Sequence, residues 1–201
     1  MINDLNTKHD LAVLIESRLP GHSLPQAFYI DSSVIKLDLD RIFKRQWVFV
    51  GHSCQIKEAG EFFTVTIGND PLILIRGDDG EIRALHNVCR HRGTLINRED
   101  CGKARRLVCP YHQWTYERDG KLASCRGMHD GINQNELGLL ASHVEDLEGM
   151  LFVCLQDTPP NFEAAREAIA SVIRPQRMNE AKVAKDCRLR CRRQLEASLG
   201  E

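Results

Sequence analysis

The chain has 201 residues, 42% hydrophobic and 27% charged, and its 27 Lys and Arg against 28 Asp and Glu leave a net charge of −1. That length holds one good-sized domain and part of another, and the near-neutral charge gives no overall pull towards nucleic acid or an acidic membrane surface. The N-terminus, MINDLNTKHD, lacks the basic-then-apolar pattern of a secretion signal, and no apolar run nears the ~18 residues of a membrane span. A soluble, cytoplasmic protein is expected, with neither nucleic acid nor membrane as partner.

Taken in order, residues 9–18 place Leu11, Leu14 and Ile15 at helical spacing. Gly21 to Tyr29 reads as a loop. A second helix is expected from Ser32 or Ser33, either a good N-cap, with Val34, Leu37, Ile42 and Phe43 as its apolar stripe and an end near Trp47. From Trp47 the period changes to that of strands: WVFVGHS, EFFTVTI, PLILIRG, EIRALHNV, RLVCP, QWTYER, KLASC and GMLFVCL are short, β-branched or aromatic, and divided by turn signals. Asp78-Asp79-Gly80 and Asp119-Gly120 suit hairpin turns that need positive φ. After Pro160, NFEAAREAIASVIRP is an amphipathic helix with Phe162, Ala165, Ile169 and Val172 on one side, stopped by Pro175. The fold class is therefore mainly β, an antiparallel sandwich or small barrel with flanking N- and C-terminal helices. Three segments follow: a helical lead-in over residues 1–45, a β domain over 46–157, and a helix with a basic tail over 158–201. The tail carries Lys182, Lys185, Arg188, Arg190, Arg192 and Arg193 but no aromatics to stack on bases, so it reads as solvated.

The chemistry is concentrated between His86 and Tyr116, HNVCRHRGTLINREDCGKARRLVCPYHQWTY. Cys89 and His91 form one C-x-H pair, and Cys109 and His112 form a C-x-x-H pair, with 17 residues between the two. Each pair offers one thiolate and one imidazole. A two-iron, two-sulfide centre with Cys₂ on one iron and His₂ on the other needs each loop to supply one ligand to each iron. A structural Cys₂His₂ zinc site draws both cysteines from one knuckle and both histidines from another, and four unliganded residues are the remaining alternative. Of the eight cysteines, Cys54 and Cys154 read as core thiols, while Cys101, Cys125, Cys187 and Cys191 lie in polar surroundings without a partner that would make a nucleophile. Arg90 and Arg92 flank a ligand and could raise its potential or dock an acidic partner. Gly93 and Pro110 are expected to let backbone N–H groups approach the sulfurs, Trp114 to pack under the cluster, and His86 to be a structural histidine. His52, His129 and His143 are assigned nothing.

CRHRG followed by CPYHQW resembles the Rieske domain of the non-haem iron oxygenase α subunits that hydroxylate rings or demethylate amines. The resemblance covers roughly residues 24–185. It implies a Rieske [2Fe-2S] fold in which Cys89 and Cys109 hold one iron and His91 and His112 the other. It also implies a flavin/iron–sulfur reductase or ferredoxin as electron donor, and a homotrimer in the intact family. The extra cysteines that bridge the two loops in respiratory Rieske proteins are missing, their places falling at or near Gly93 and at Tyr111. The runs SLPQAFY, GHS and CPYHQWTY look most like the subgroup acting on quaternary ammonium compounds.

In the family a mononuclear Fe(II), held by two histidines and a carboxylate, lies in a later domain that this sequence does not offer: after His112 only His129 and His143 remain. The four cluster residues therefore make an electron-transfer portion, and an oxygenase activity cannot reside in them alone. A stand-alone Rieske ferredoxin is the alternative, although a minimal carrier needs neither the N-terminal helices nor the one after Pro160. The tail bears on this. Arg188 to Glu201 can be back-translated with permitted codons that, read one base later, give AYDVAANWKLVWE, the phrase that opens the family's catalytic domain. The expectation is a frameshifted continuation and a truncated subunit.

Overall fold

The computed structural model describes residues 11–128, 131 and 133–184. His129, Cys187, Cys191 and the tail with its proposed frameshift lie outside them. The chain divides between Phe43 and Lys44 into two compact units.

In the first unit, residues 11–16 are helical, Ala27–Ile30 makes a single turn, and helix α1 spans Ser32–Asp38 before a π-helical turn over Leu39–Phe43. The cap of α1 is Asp31 and not Ser32 or Ser33: its carboxylate accepts from the Ser33 N–H at 2.8 Å and from the Ser33 hydroxyl at 2.6 Å. These bonds hold the Asp31 carboxyl below its usual pKa. Of the expected stripe only Val34 is buried, whereas Ile42 and Phe43 are exposed. The π-helical turn breaks the 3.6-residue period that would have kept them on one face.

The second unit is mainly β. Its strands are β1 (Val48–His52), β2 (Glu61–Ile67), β3 (Asp70–Arg76), β4 (Ile82–His86), β5 (Cys101–Lys103), β6 (Leu107–Val108), β7 (Thr115–Tyr116), β8 (Leu122–Ser124), β9 (Ala141–Leu147) and β10 (Met150–Cys154). Seven form an antiparallel sheet in the order β1-β10-β9-β4-β3-β2-β5, and β6-β7-β8 form a second, small one. The sequence reading found eight of these strands and missed β5 and β9. All three residues of β5 are exposed, so it carries no hydrophobic signal, and the charged ASHVEDL of β9 buries only Leu147.

The core follows from β3, where Leu72, Ile73, Leu74 and Ile75 are all 0% exposed. Side chains alternate across a strand. Leu72 and Leu74 therefore join Ile56, Phe63, Ile67, Ala84, Leu151 and Val153 on one face, while Ile73 and Ile75 join Phe62, Leu85, Leu107, Trp114 and Tyr116 on the other. The second face is the floor on which both ligand loops rest, since Cys89 and Cys109 belong to the same cluster. Each such aliphatic side chain contributes roughly 1.5–3 kcal/mol by leaving water.

The turn between β9 and β10 is Glu148-Gly149, with φ of 52° and 87°, the pattern of a two-residue hairpin turn. A Cβ on Gly149 would sit 2.3 Å from the His52 ring, so both backbone and space require glycine there. Helix α2 (Glu163–Ile173) packs on this part of the sheet: Phe162, Ala170 and Ile173 are buried with Leu147 and Phe152. Val172 was expected inward but is 68% exposed. At 100° per residue Ile173 lies close under Phe162, while Val172 is turned well away. Trp47 fastens the segment before α2, donating from Nε1 to the Pro160 carbonyl at 2.8 Å and meeting Phe162 edge-on at 5.1 Å.

Candidate metal centre

Two loops leave the sheets side by side. The first runs from β4 to β5 and carries Cys89 and His91; the second is the β6–β7 hairpin tip and carries Cys109 and His112. Their backbones repeat one pattern. The Cys89 N–H donates to Thr94 O at 2.9 Å and the Gly93 N–H to Cys89 O at 2.9 Å; the Cys109 N–H donates to Trp114 O at 2.8 Å and the Gln113 N–H to Cys109 O at 3.0 Å. The fifth residue of each turn has positive φ, 71° at Gly93 and 58° at Gln113. Gly93 thus serves the turn, because its N–H is taken by a carbonyl and a Cβ there would meet nothing within 4 Å. The N–H that reaches the Cys89 thiol is that of His91, inside the turn that Gly93 closes.

The four residues come together. Cys89 and Cys109 are each 2% exposed, and the His91 and His112 rings meet with centroids 4.8 Å apart at 63°. Burial pushes the Cys89 thiol up from its ordinary value, Tyr116 and the His91 N–H pull it down, and the neighbouring Cys109 adds to the rise. His91 is held below its usual pKa by desolvation, then by His112 and Arg92. His112 Nδ1 is buried without a hydrogen-bond partner among the described residues. An unmet buried nitrogen of this kind is costly, and metal coordination resolves it. Among the described residues no three His, Cys, Asp or Glu side chains gather as one ion would need. A two-iron centre asks for only two protein ligands per iron. The donor set therefore fits such a cluster.

Two residues hold the loops in place, and neither stood out in the sequence. Asn87, 2% exposed, takes the Ile96 and Asn97 N–H groups on Oδ1 at 3.1 and 2.8 Å and donates from Nδ2 to Asn97 O at 2.7 Å. It closes the first loop. Tyr116, fully buried on β7, ties the loops together: its hydroxyl accepts from the Arg90 N–H at 3.0 Å and lies 3.2 Å from Cys89 Sγ. Against a thiolate, which can only accept, the hydroxyl is the donor. Burial and the Cys89 sulfur push the phenol pKa well up, so it stays a donor. Trp114 packs beneath the loops as expected, at 1% exposure.

The other predicted residues take structural positions. His86 Nε2 pairs with Ser142 Oγ at 3.1 Å, and burial lowers its pKa. His52 accepts from the Cys54 N–H on Nδ1 at 3.1 Å, leaving Nε2–H for the Met178 carbonyl at 3.0 Å. His143 reaches the Asp157 carbonyl at 3.2 Å. Cys154 is a core thiol; Cys54 is only half-buried. Arg90 and Arg92 are exposed.

Residues 46–142 match the family model of the Rieske [2Fe-2S] domain. Over 174 residues the chain is 42% identical to the glycine betaine monooxygenase oxygenase subunit of Chromohalobacter salexigens, covering 86% of this chain and 39% of that one. It is 36% identical to the biphenyl 2,3-dioxygenase α subunit of Rhodococcus jostii, covering 77% and 34%. Among solved structures it resembles the quaternary ammonium Rieske monooxygenase CntA (TM-score 0.75, 27% identity, 81% of this chain and 49% of that one). It also resembles naphthalene 1,2-dioxygenase with indole bound (0.70, 31%, 76% and 35%). Residues 46–142 thus form a Rieske [2Fe-2S] domain, and the chain is similar to the N-terminal portion of oxygenase α subunits. It spans about two fifths of the length of the glycine betaine monooxygenase subunit. Among the described residues no helix is long and apolar enough to cross a membrane.

Proposed function

We propose that Cys89 and Cys109 hold one iron of the [2Fe-2S] cluster and His91 and His112 the other. Bound there, the cluster supplies a one-electron carrier between a reductase or ferredoxin and the mononuclear iron of an oxygenase. The observation that carries this reading is the meeting of two like-folded loops, which brings the two imidazoles to 4.8 Å, buries the two thiols and leaves His112 Nδ1 without a partner among the described residues.

The chain's own residues set the conditions. Ile96, Leu107, Trp114 and Tyr116 keep water from the sulfurs. The His91 N–H and the Tyr116 hydroxyl donate to Cys89 Sγ and favour the more negative, reduced state. His91 and His112 are half-exposed, so electrons enter and leave at the imidazole edge. The names of the relatives, oxygenase subunit and dioxygenase subunit alpha, support a multicomponent oxygenase. The glycine betaine relative at 42% identity and the likeness to CntA favour quaternary ammonium substrates, hydroxylated or oxidatively demethylated in a domain beyond these loops. A homotrimer is the assembly we propose for the longer protein.

Reductive titration tests the reading. The reconstituted chain takes up one electron for every two irons; a colourless protein with one zinc per chain would end it. Tyr116→Phe keeps the iron but lowers the potential. A hydrogen bond to a charged group is worth roughly 1.5–3 kcal/mol, which for one electron is roughly 65–130 mV. Film voltammetry reads the shift, and an unchanged or raised potential contradicts the role given to the hydroxyl.

A further inference from the structure

The two histidines are not held alike. The His91 imidazole lies flat on the Trp114 indole, with planes 5° apart and centroids at 4.8 Å. That indole is part of the cluster formed by Ile96, Leu107, Cys109 and Tyr116, and its backbone carbonyl is tied to the Cys109 N–H. The His112 ring meets the edge of His91 and, at 3.8 Å and tilted by 31°, the ring of Tyr111, which is 58% exposed. One imidazole therefore rests on a rigid floor and the other beside a surface phenol.

The indole nitrogen adds a second observation. Trp114 Nε1 is buried without a hydrogen-bond partner among the described residues. A buried donor left unmet is a cost that phenylalanine at this position would avoid. What the indole brings in return is its broad face, and His91 occupies that face.

We propose that Trp114 is the positioning residue of His91. The torsion that turns an imidazole about its Cβ–Cγ bond is soft, so an unsupported ring would sweep its nitrogen lone pair through a wide arc. A metal-bound imidazole is ordinarily oriented by a hydrogen bond at its far nitrogen; at His91 the stacked indole does that work. This inference rests on the ligand set proposed above and goes beyond it, because it makes the two nitrogen ligands unequal in rigidity.

The test is electron–nuclear double resonance on the reduced protein carrying ¹⁵N-histidine. The wild type shows two histidine nitrogen couplings; fewer than two would overturn the ligand set itself, which is a separate failure. Trp114→Leu, which keeps burial but removes the aromatic face, is expected to shift or broaden one coupling and leave the other in place. Trp114→Phe, which keeps a face and removes the donor, leaves both near the wild type. The proposal is overturned if Trp114→Leu leaves both couplings unmoved or moves both alike. Should Trp114→Leu fail to retain iron, Trp114→Met, which fills the space with a flexible apolar chain but offers no ring face, is read in the same way. A shift confined to one coupling then supports the stack, and no shift overturns it.

Discussion

Cys89→Ser is expected to purify without iron and with much of its folded stability gone. The thiol is 2% exposed, lies under both loops and takes bonds from Tyr116 and the His91 N–H. A serine hydroxyl there ligates iron poorly and leaves the other three donors facing an incomplete site. Metal binding and folding are linked, since a ligand that binds only the native state stabilises it. Losing even a thousandfold excess over the dissociation constant removes about 4 kcal/mol, and at roughly 2–4 °C per kcal/mol for a chain of this size Tm falls by about 8–16 °C. Cys101→Ser is the control. That thiol is exposed on the edge strand β5, and its replacement keeps full iron content and an unchanged Tm. Iron analysis beside a thermal scan reads both variants; a Cys89→Ser protein with native iron would remove Cys89 from the ligand set.

Asn87→Leu is expected to be nearly as damaging without touching a proposed ligand. Leucine keeps the size of the side chain but strands the Asn97 N–H and carbonyl and leaves the Ile96 N–H only its long 3.4 Å bond to the Asn87 carbonyl. Buried groups left unpaired cost ~1–3 kcal/mol each, so the domain loses roughly 3 kcal/mol or more, and the first loop opens with loss of iron. Denaturant titration measures this as a lower midpoint at an unchanged slope. Asn97→Ala removes only an exposed bond to the Glu99 N–H at 2.9 Å, and it stays within about 1 kcal/mol of the wild type. Equal effects from the two variants would show that Asn87 is not the clasp of the loop.

These two residues mark what a sequence can and cannot show. The strands around the core announce themselves through alternation and length: PLILIRG is buried on both faces and reads as such. The thiolate and imidazole pairs announce themselves by residue type and spacing, and the structure brings all four together. Asn87 and Tyr116 do neither. Asn87 matters for backbone groups nine and ten residues on, and Tyr116 for a sulfur and an N–H on the other loop, which no local pattern encodes. The cap of α1 was hidden differently, because Asp31, Ser32 and Ser33 can all cap and only the hydrogen bonds choose among them. Strands β5 and β9 were hidden by exposure, since their pairing uses backbone groups and little apolar surface. Val172 was misplaced by one residue, enough to turn a helical side chain from core to solvent.

Mössbauer spectroscopy of the ⁵⁷Fe-loaded, reduced protein tests most directly whether the two loops divide their donors between two metals. Two inequivalent irons in equal amount are predicted, one ferric in an all-sulfur environment and one ferrous with mixed nitrogen and sulfur ligation. Two irons with the same all-sulfur environment, or a protein that takes up a single ion, would contradict the account.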